Sequence, residues 1–426
     1  MEKKITIQYC STAKYILYAI LLFSPLARGS VHPWQQTVIQ IGVLVMLSLL
    51  LMQAIQQKEP LLTSTSLDKP ILALLLLCSL SFFFSVSRSD SVEAIALLLS
   101  YIIIFYATVY FCRTRRNQRQ LVYVICIIAS LPVLIGFFKS MDLVPFALWN
   151  YDDLHYHKTF LTGVYGNYNH LAGYLEMVIP LMLTLFIIRT RRGWWKAALI
   201  CWVLIFVICH ILTLSRGGWI SLGGALLFMT LILLGHKKFK SKKLLIALFT
   251  TASILVFFVL SGSSLFDRVM TLAEEEVVLG VNGRVLIWKG TLELIKEYTF
   301  VGAGPGTFTI VFPGFQPPGT TARFYQAHQD YLHFIAEMGI FFIPLLCWML
   351  YALFRSGFKR FDSRSRQEWG FALGAMAGIF AILIHSFVDF NLHIPANAIL
   401  FTVLAAIVVS KRSAPAPNSN FTNGKQ

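Results

Sequence analysis

Charge is scarce in this chain. Of its 426 residues only 13% are charged and 57% are hydrophobic, too little polarity for the water-facing surface of a soluble enzyme of that length. Acidic residues are scarcer still: 20 stand against 36 Lys and Arg, for a formal charge of +16, and no Asp-x-Asp pair occurs anywhere. A nucleotide-sugar transferase that holds Mg²⁺ between such a pair is therefore not supported. The seven cysteines (Cys10, Cys78, Cys112, Cys126, Cys201, Cys209 and Cys347) fall in or beside apolar stretches or in the N-terminal segment, so no structural disulfide is expected. The shortage of polar sequence also excludes a disordered chain and a nucleic-acid-binding domain. The glycine run VGAGPGTF at 301–308 lacks the Lys-Ser/Thr of a phosphate loop and does not follow a soluble strand, which argues against nucleotide binding.

What the chain has instead is apolar runs of about twenty residues from end to end. Spans are predicted near 15–27, 37–55, 70–86, 92–112, 120–138, 170–188, 197–214, 219–235, 244–262, 331–354, 369–388 and 395–410. They make an all-α polytopic membrane protein of about twelve transmembrane helices, a single membrane domain over 1–410. The basic charge sorts by loop. CRTRRNQR at 112–119, RTRRGWWK at 189–196, HKKFKSKK at 236–243 and RSGFKRFDSRSR at 355–366 alternate with poorly basic connections, and alternation assigns 26 of the 36 Lys and Arg to the cytoplasmic side. Both termini are then cytoplasmic in an inner, multi-pass membrane protein, and the positive charge needs no nucleic acid to explain it. The first span follows Lys3, Lys4 and Lys14 as a signal peptide would, but it is retained, because charge alternation is already satisfied with it in place. The tail 411–426, Pro- and Asn-rich, is expected to be a disordered cytoplasmic segment.

Chemistry is sought on the outer side. The segment 263–327 between spans nine and ten is long for a loop without function. Within it, RVLIWKGTLELIKEY (284–298) spaces Val285, Ile287, Trp288, Leu292 and Ile295 along one side, an amphipathic helix that lies on the membrane surface or caps a cavity. The following glycines permit a tight turn whose N–H groups face an anion. The second external loop, 139–169, carries Asp152, Asp153, His155 and His157; a solvated interfacial loop accounts for them better than a metal site, and no metal or other cofactor is expected. Arg216, in LTLSRGGWISLGG, sits at an outer boundary where an arginine is expensive without an anionic partner or water, and Gly217 and Gly218 beside it allow close approach. Arg284 opens the amphipathic helix although a cation there opposes the helix dipole. Two such guanidiniums suit bidentate clamping of a diphosphate; each can equally be a snorkelling headgroup contact. His328, at the outer start of the tenth span, has the residue type for a general base, with an unperturbed pKa near 6.5. A hydrogen-bonded interfacial histidine is the alternative. His333 is on another face and is read as packing, and Asp330 as a favourable charge for the helix N-terminus.

Together these motifs resemble the O-antigen ligase and polymerase superfamily of bacterial membrane glycosyltransferases. The elements that carry the resemblance are Ser215 to Gly218 after a span, Arg284 with Trp288 opening a helix in the large loop, the GAGPGTF turn, and His328 followed by Gln329 and by Gly339. Gln329 departs from the Asn, Ser or Lys usual after that histidine. GNYNHLAGYLEMVIP (166–180) and HSFVDFNLHIPAN (385–397) also look like family elements, and the match covers about 160–400. The resemblance implies a GT-C-like fold and a metal-independent, inverting transferase with a large periplasmic loop. Its donor would be an undecaprenyl-diphosphate-linked glycan at the periplasmic face, and its acceptor lipid A-core. Arg216 and Arg284 would bind the diphosphate and His328 would activate the acceptor hydroxyl. Asn169, His170, Glu176, Gln329, Asp389, Asn391 and His393 are candidates at external helix ends to support the site from behind, with helix capping or interhelical hydrogen bonding as the competing explanation. A polymerase using the same donor, a protein O-oligosaccharyltransferase and, from a different class, a polysaccharide transporter or flippase remain alternatives. Sugar identity, linkage, chain length and oligomeric state are not encoded in any motif.

Overall fold

The computed structural model describes residues 2–58, 60–140, 161–188, 193–236, 281–317 and 324–410, with scattered positions between 239 and 254. Among these residues the chain is helical, with no strand. In order the helices are α1 (Glu2–Leu26), α2 (Pro33–Gln57), α3 (Asp68–Phe83), α4 (Arg88–Phe111), α5 (Arg115–Ser140), α6 (Tyr168–Ile188), α7 (Trp194–Leu212), α8 (Arg216–Gly235), α9 (Val281–Glu297), α10 (Phe308–Val311), α11 (Asp330–Met338), α12 (Phe342–Lys359), α13 (Arg366–His385) and α14 (Pro395–Val409). Seven of them, α2, α4, α5, α6, α7, α8 and α13, are long and apolar enough to cross a membrane, and α14 is a shorter apolar helix. The predicted span 244–262 and the loop 141–160, with Asp152, Asp153, His155 and His157, lie largely or wholly outside the described residues.

The centre of the bundle is α6 against α13, with α8 and α14 flanking α13. Small residues bring the two central helices together. A Cβ on Gly374 would stand 2.9 Å from Leu181 Cα, and one on Gly378 3.0 Å from Met177 Cα, so the helices pack backbone to backbone where van der Waals contact is the main attraction available in lipid. Leu222, Met229, Leu373, Ile379, Leu400 and Val403 fill the surrounding space with no exposure to solvent beyond 1%.

One predicted span is corrected. The tenth, 331–354, is two helices, because Gly339 takes φ +77° and ends α11. The Ile340 N–H then bonds to the Thr299 carbonyl at 2.8 Å, so the segment from the large loop wedges itself into the break. That segment has its own core. Ile287 and Leu294 of α9 meet Ala303, Phe308, Phe312, Phe324, Ala327 and Ala336, with Phe308 and Phe312 stacked at 4.9 Å. The buried face of α9 runs through Ile287, Gly290, Thr291 and Leu294, while Val285 and Leu292 are exposed. The expected face was thus displaced. Gly290 and Thr291, small residues that hydropathy does not mark, are what let Phe312 and the Phe315 carbonyl close against the helix.

The glycine turn does face an anion, and the anion belongs to the protein. Phe308 N–H donates to Glu337 Oε1 (3.2 Å), while Ala303 and Gly304 N–H groups bond to the Ala336 and Glu337 carbonyls at 2.9 and 3.0 Å. On its other side the turn meets the α3–α4 corner, where Val86 N–H donates to the Ala303 carbonyl (2.9 Å). Gly304 has φ +116°, and a Cβ there would collide with Ser85. Gly304→Ala is therefore expected to lower stability by about 2 kcal/mol or more, read as a reduced Tm and faster proteolysis between α9 and α11. Gly235→Ala, where a Cβ meets nothing within 4 Å, serves as the neutral control.

Candidate active site

The N-termini of α6, α8, α11 and α14, the C-terminus of α13 and the start of α9 converge at one end of the bundle. Each is brought there by a local signal. Ser215 caps α8, its Oγ accepting the Gly218 N–H (3.1 Å), and the same hydroxyl donates to Asn169 Oδ1 (2.7 Å) on α6. Gln329 caps α11, its Oε1 accepting the Leu332 N–H (3.2 Å). This is what the departure at Gln329 does: the longer amide folds back onto its own helix.

Asp389, just past α13, is fully buried, and on it two sequence-predicted residues meet. Arg284 Nη2 stands 3.5 Å from Asp389 Oδ2, and His170 Nε2 3.8 Å from Asp389 Oδ1. Beside it the Phe390 ring is flanked edge-on by His170 and by His328, each with centroids 4.8 Å apart. Arg216 is exposed at the first position of α8. The Tyr168 hydroxyl lies within the electrostatic reach of Arg284, Asp389 and Arg216, so both guanidiniums stand near the α6 N-terminus. Among the described residues, Arg284 Nε, Trp288 Nε1 and His328 Nδ1 are buried without a hydrogen-bond partner, which leaves hydrogen-bonding capacity at this end of the bundle that the described fold does not use.

The electrostatics separate the two central ionisable groups. Burial lowers the His328 pKa to about 4, with the nearby Asp389 charge raising it and Arg284 lowering it further. Desolvation of the imidazolium outweighs its carboxylate neighbour, so the group sits below the ordinary histidine value. Burial pushes the Asp389 carboxyl up, but His170, Arg284 and His328 together outweigh it and hold the group below the ordinary carboxylate range. The site thus offers a fixed anion, two cations and a neutral imidazole at neutral pH. His328 also has φ +50°, and Leu214, just before the Ser215 cap, has φ +55°. Left-handed backbone at residues other than glycine clusters where function fixes it.

Glu176 does not belong at a helix end. It lies eight residues into α6, roughly 12 Å along the axis, buried against His385 Nδ1 at 3.1 Å; it is an interhelical pair joining α6 to α13. His393 lies behind the site, Nδ1 2.6 Å from Asp330 Oδ1. His333 does pack, against Phe308 at 4.3 Å and His393 at 3.9 Å, and its Nε2 also meets Glu337 Oε1 at 3.2 Å. His333, Glu337 and His393 have ligand atoms within 4.8 Å of one another. These are metal-ligating residue types. The two rings are stacked at 29°, His333 and His393 each bond a different carboxylate, and Glu337 Oε1 also accepts the Phe308 N–H.

The sequence reading did not single out Phe390, Tyr168, His385 or Glu337, and it gave Asp330 only a helix-dipole role. Asn397 was not singled out either: its Nδ2 donates to Oδ1 of Asn391, one of the candidates named from the sequence (2.9 Å), and to the His170 carbonyl (3.0 Å). Each is an ordinary polar residue until the fold brings distant segments together.

The fold and the site define a multi-pass helical membrane protein with a basic, histidine-containing polar site at one end of the bundle. Residues 201–347 match the family model described as O-Antigen ligase. The matched stretch includes Arg216, Arg284 and His328, while α6 and the 386–393 segment lie outside it. No curated protein matches the chain.

Proposed function

We propose that this protein is a glycosyltransferase of the periplasmic face of the inner membrane, moving a glycan from an undecaprenyl-diphosphate donor to lipid A-core, with inversion and without a metal. The observation that carries the reading is Arg284, held by Asp389 with its Nε unpartnered, on the same small surface as His328. In this reading Arg284 and Arg216 grip the diphosphate, and Asp389 keeps the Arg284 guanidinium at a fixed angle. His328 is the base. Its neutral imidazole takes the proton of the acceptor hydroxyl as that oxygen attacks the anomeric carbon from the side opposite the diphosphate. The bond from that carbon to the diphosphate oxygen breaks, its electron pair leaves with the diphosphate, and the two guanidiniums stabilise the charge that develops. Bound diphosphate also raises the His328 pKa toward the operating pH, which improves the base when substrate is present.

A polymerase shares every one of these steps and differs only in acceptor. Deleting the gene in its own host separates the two: unmodified core with long-chain glycan left on the carrier is the expected result, whereas core capped with single repeats would assign polymerisation. Long-chain glycan correctly attached to core would overturn both.

A further inference from the structure

We propose that Asp330 is a positioning residue that fixes the His328 imidazole by stapling the chain beside it to the 386–393 segment. The inference rests on the transfer reading above. Asp330 is fully buried, and three donors converge on its carboxylate: Ser386 Oγ–H on Oδ2 at 2.7 Å, Leu392 N–H on Oδ2 at 3.0 Å and His393 Nδ1 on Oδ1 at 2.6 Å. Its own backbone N–H is shared between the carbonyls of Ser386 (3.0 Å) and Asp389 (3.2 Å). Two residues after His328, main chain and side chain are thus both bound to the segment that carries Asp389 and Phe390. His328 has no such anchor. Its ring rests edge-on against Phe390, its Nδ1 is unpartnered, and its backbone is left-handed at φ +50°. A non-glycine residue persists in that conformation only where its surroundings enforce it; beside the Gln329 cap, the Asp330 staple two residues on ties this stretch to a distant segment. Replacing one carboxylate oxygen by an amide would set an N–H against one of the converging donors.

The groups facing His328 are Asp389 from the 386–393 segment, Arg284 from α9, His333 from α11 and His170 from α6. Burial among them is what depresses its pKa, so a loosened ring admits water and titrates closer to an ordinary histidine. Full-length protein in nanodiscs provides two readouts for Asp330→Asn. With a lipid-diphosphate-linked glycan and core acceptor, kcat falls about 10- to 100-fold, the scale expected for a misplaced reacting group, while the donor KM stays within about twofold because Arg216 and Arg284 are untouched. Diethyl pyrocarbonate, which modifies neutral imidazole, labels His328 several-fold faster at pH 7 as read by peptide mass spectrometry, and the labelling now declines between pH 7 and 5.5, where the wild-type rate is flat. If Asp330→Asn does not fold, Ser386→Ala removes one donor and gives the same pattern at about 3- to 10-fold. Wild-type kcat, labelling and pH profile in a folded Asp330→Asn or Ser386→Ala protein would overturn the proposal. Altered labelling in a protein whose wild type transfers no glycan would retain the staple and reject the transfer reading.

Discussion

Arg284→Ala and Arg216→Ala are each expected to lower glycan transfer from a lipid-diphosphate donor by about 10²- to 10³-fold in kcat/KM, the scale found when one group stabilising a developing anion is removed. At Arg284 the loss has a geometric cause. One end of the guanidinium faces Asp389 at 3.5 Å while Nε has no protein partner, so a single planar fork can hold the carboxylate and a phosphate oxygen at once. Lysine cannot. Arg284→Lys should therefore recover little of the lost rate even though the charge is kept. Arg284→Ala also strands a fully buried Asp389, which destabilises the site through an unpaired charge; Arg284→Gln with Asp389→Asn separates that effect from the lost clamp. Arg216 is exposed at the first position of α8, so its alanine variant should fold normally and lose rate alone. Transfer within about threefold of wild type in both single alanine variants, measured with donor below KM, would remove the diphosphate-clamp assignment.

His328→Asn is expected to lower kcat by about 10²- to 10⁴-fold, the range for loss of a general base. Asparagine is chosen because it tolerates the left-handed conformation that His328 adopts at φ +50°, so the backbone survives and the base does not. The pH dependence carries an independent sign. A base must be deprotonated to act, and burial lowers the His328 pKa to about 4. In wild type kcat/KM should stay level as pH falls from 7 to about 5.5, and should decline only as pH approaches 4. Binding of the diphosphate anion raises the same pKa in the complex, so the acid limb of kcat should lie above that of kcat/KM. An acid limb of kcat/KM near 6.5 would mean that the working imidazole is solvated.

Much of this arrangement is readable along the chain, and what is not has a physical reason. Hydropathy finds α2, α4 and α5 because each is long and apolar enough to span. It reads 331–354 as one span because Phe334, Ile335 and Phe342 are apolar on both sides of Gly339; the left-handed Gly339 ends α11, and the Thr299 carbonyl that then takes the Ile340 N–H comes from a distant segment. Arg216, Arg284 and His328 stand out as expensive residues at helix ends. Asp330 does not, since its partners Ser386 and His393 are 56 and 63 residues away, and a carboxylate at a helix start already has an ordinary local explanation. Glu176 is legible in part. It is not at a helix end, and its bond to His385 across α6 and α13 is the interhelical hydrogen bond weighed for it from the sequence. The local rules thus identify groups that are costly wherever they stand, and they miss groups whose cost is removed by a distant partner.

The central claim is that this site breaks a sugar–diphosphate bond. Purified protein reconstituted with an undecaprenyl-diphosphate-linked glycan and lipid A-core tests it directly, with both products followed by mass spectrometry. The account predicts glycan joined covalently to core together with one undecaprenyl diphosphate released per transfer, unchanged by EDTA and lost in Arg284→Ala and His328→Asn. Donor that crosses the bilayer intact with no diphosphate released, or release that persists in both variants, would contradict it.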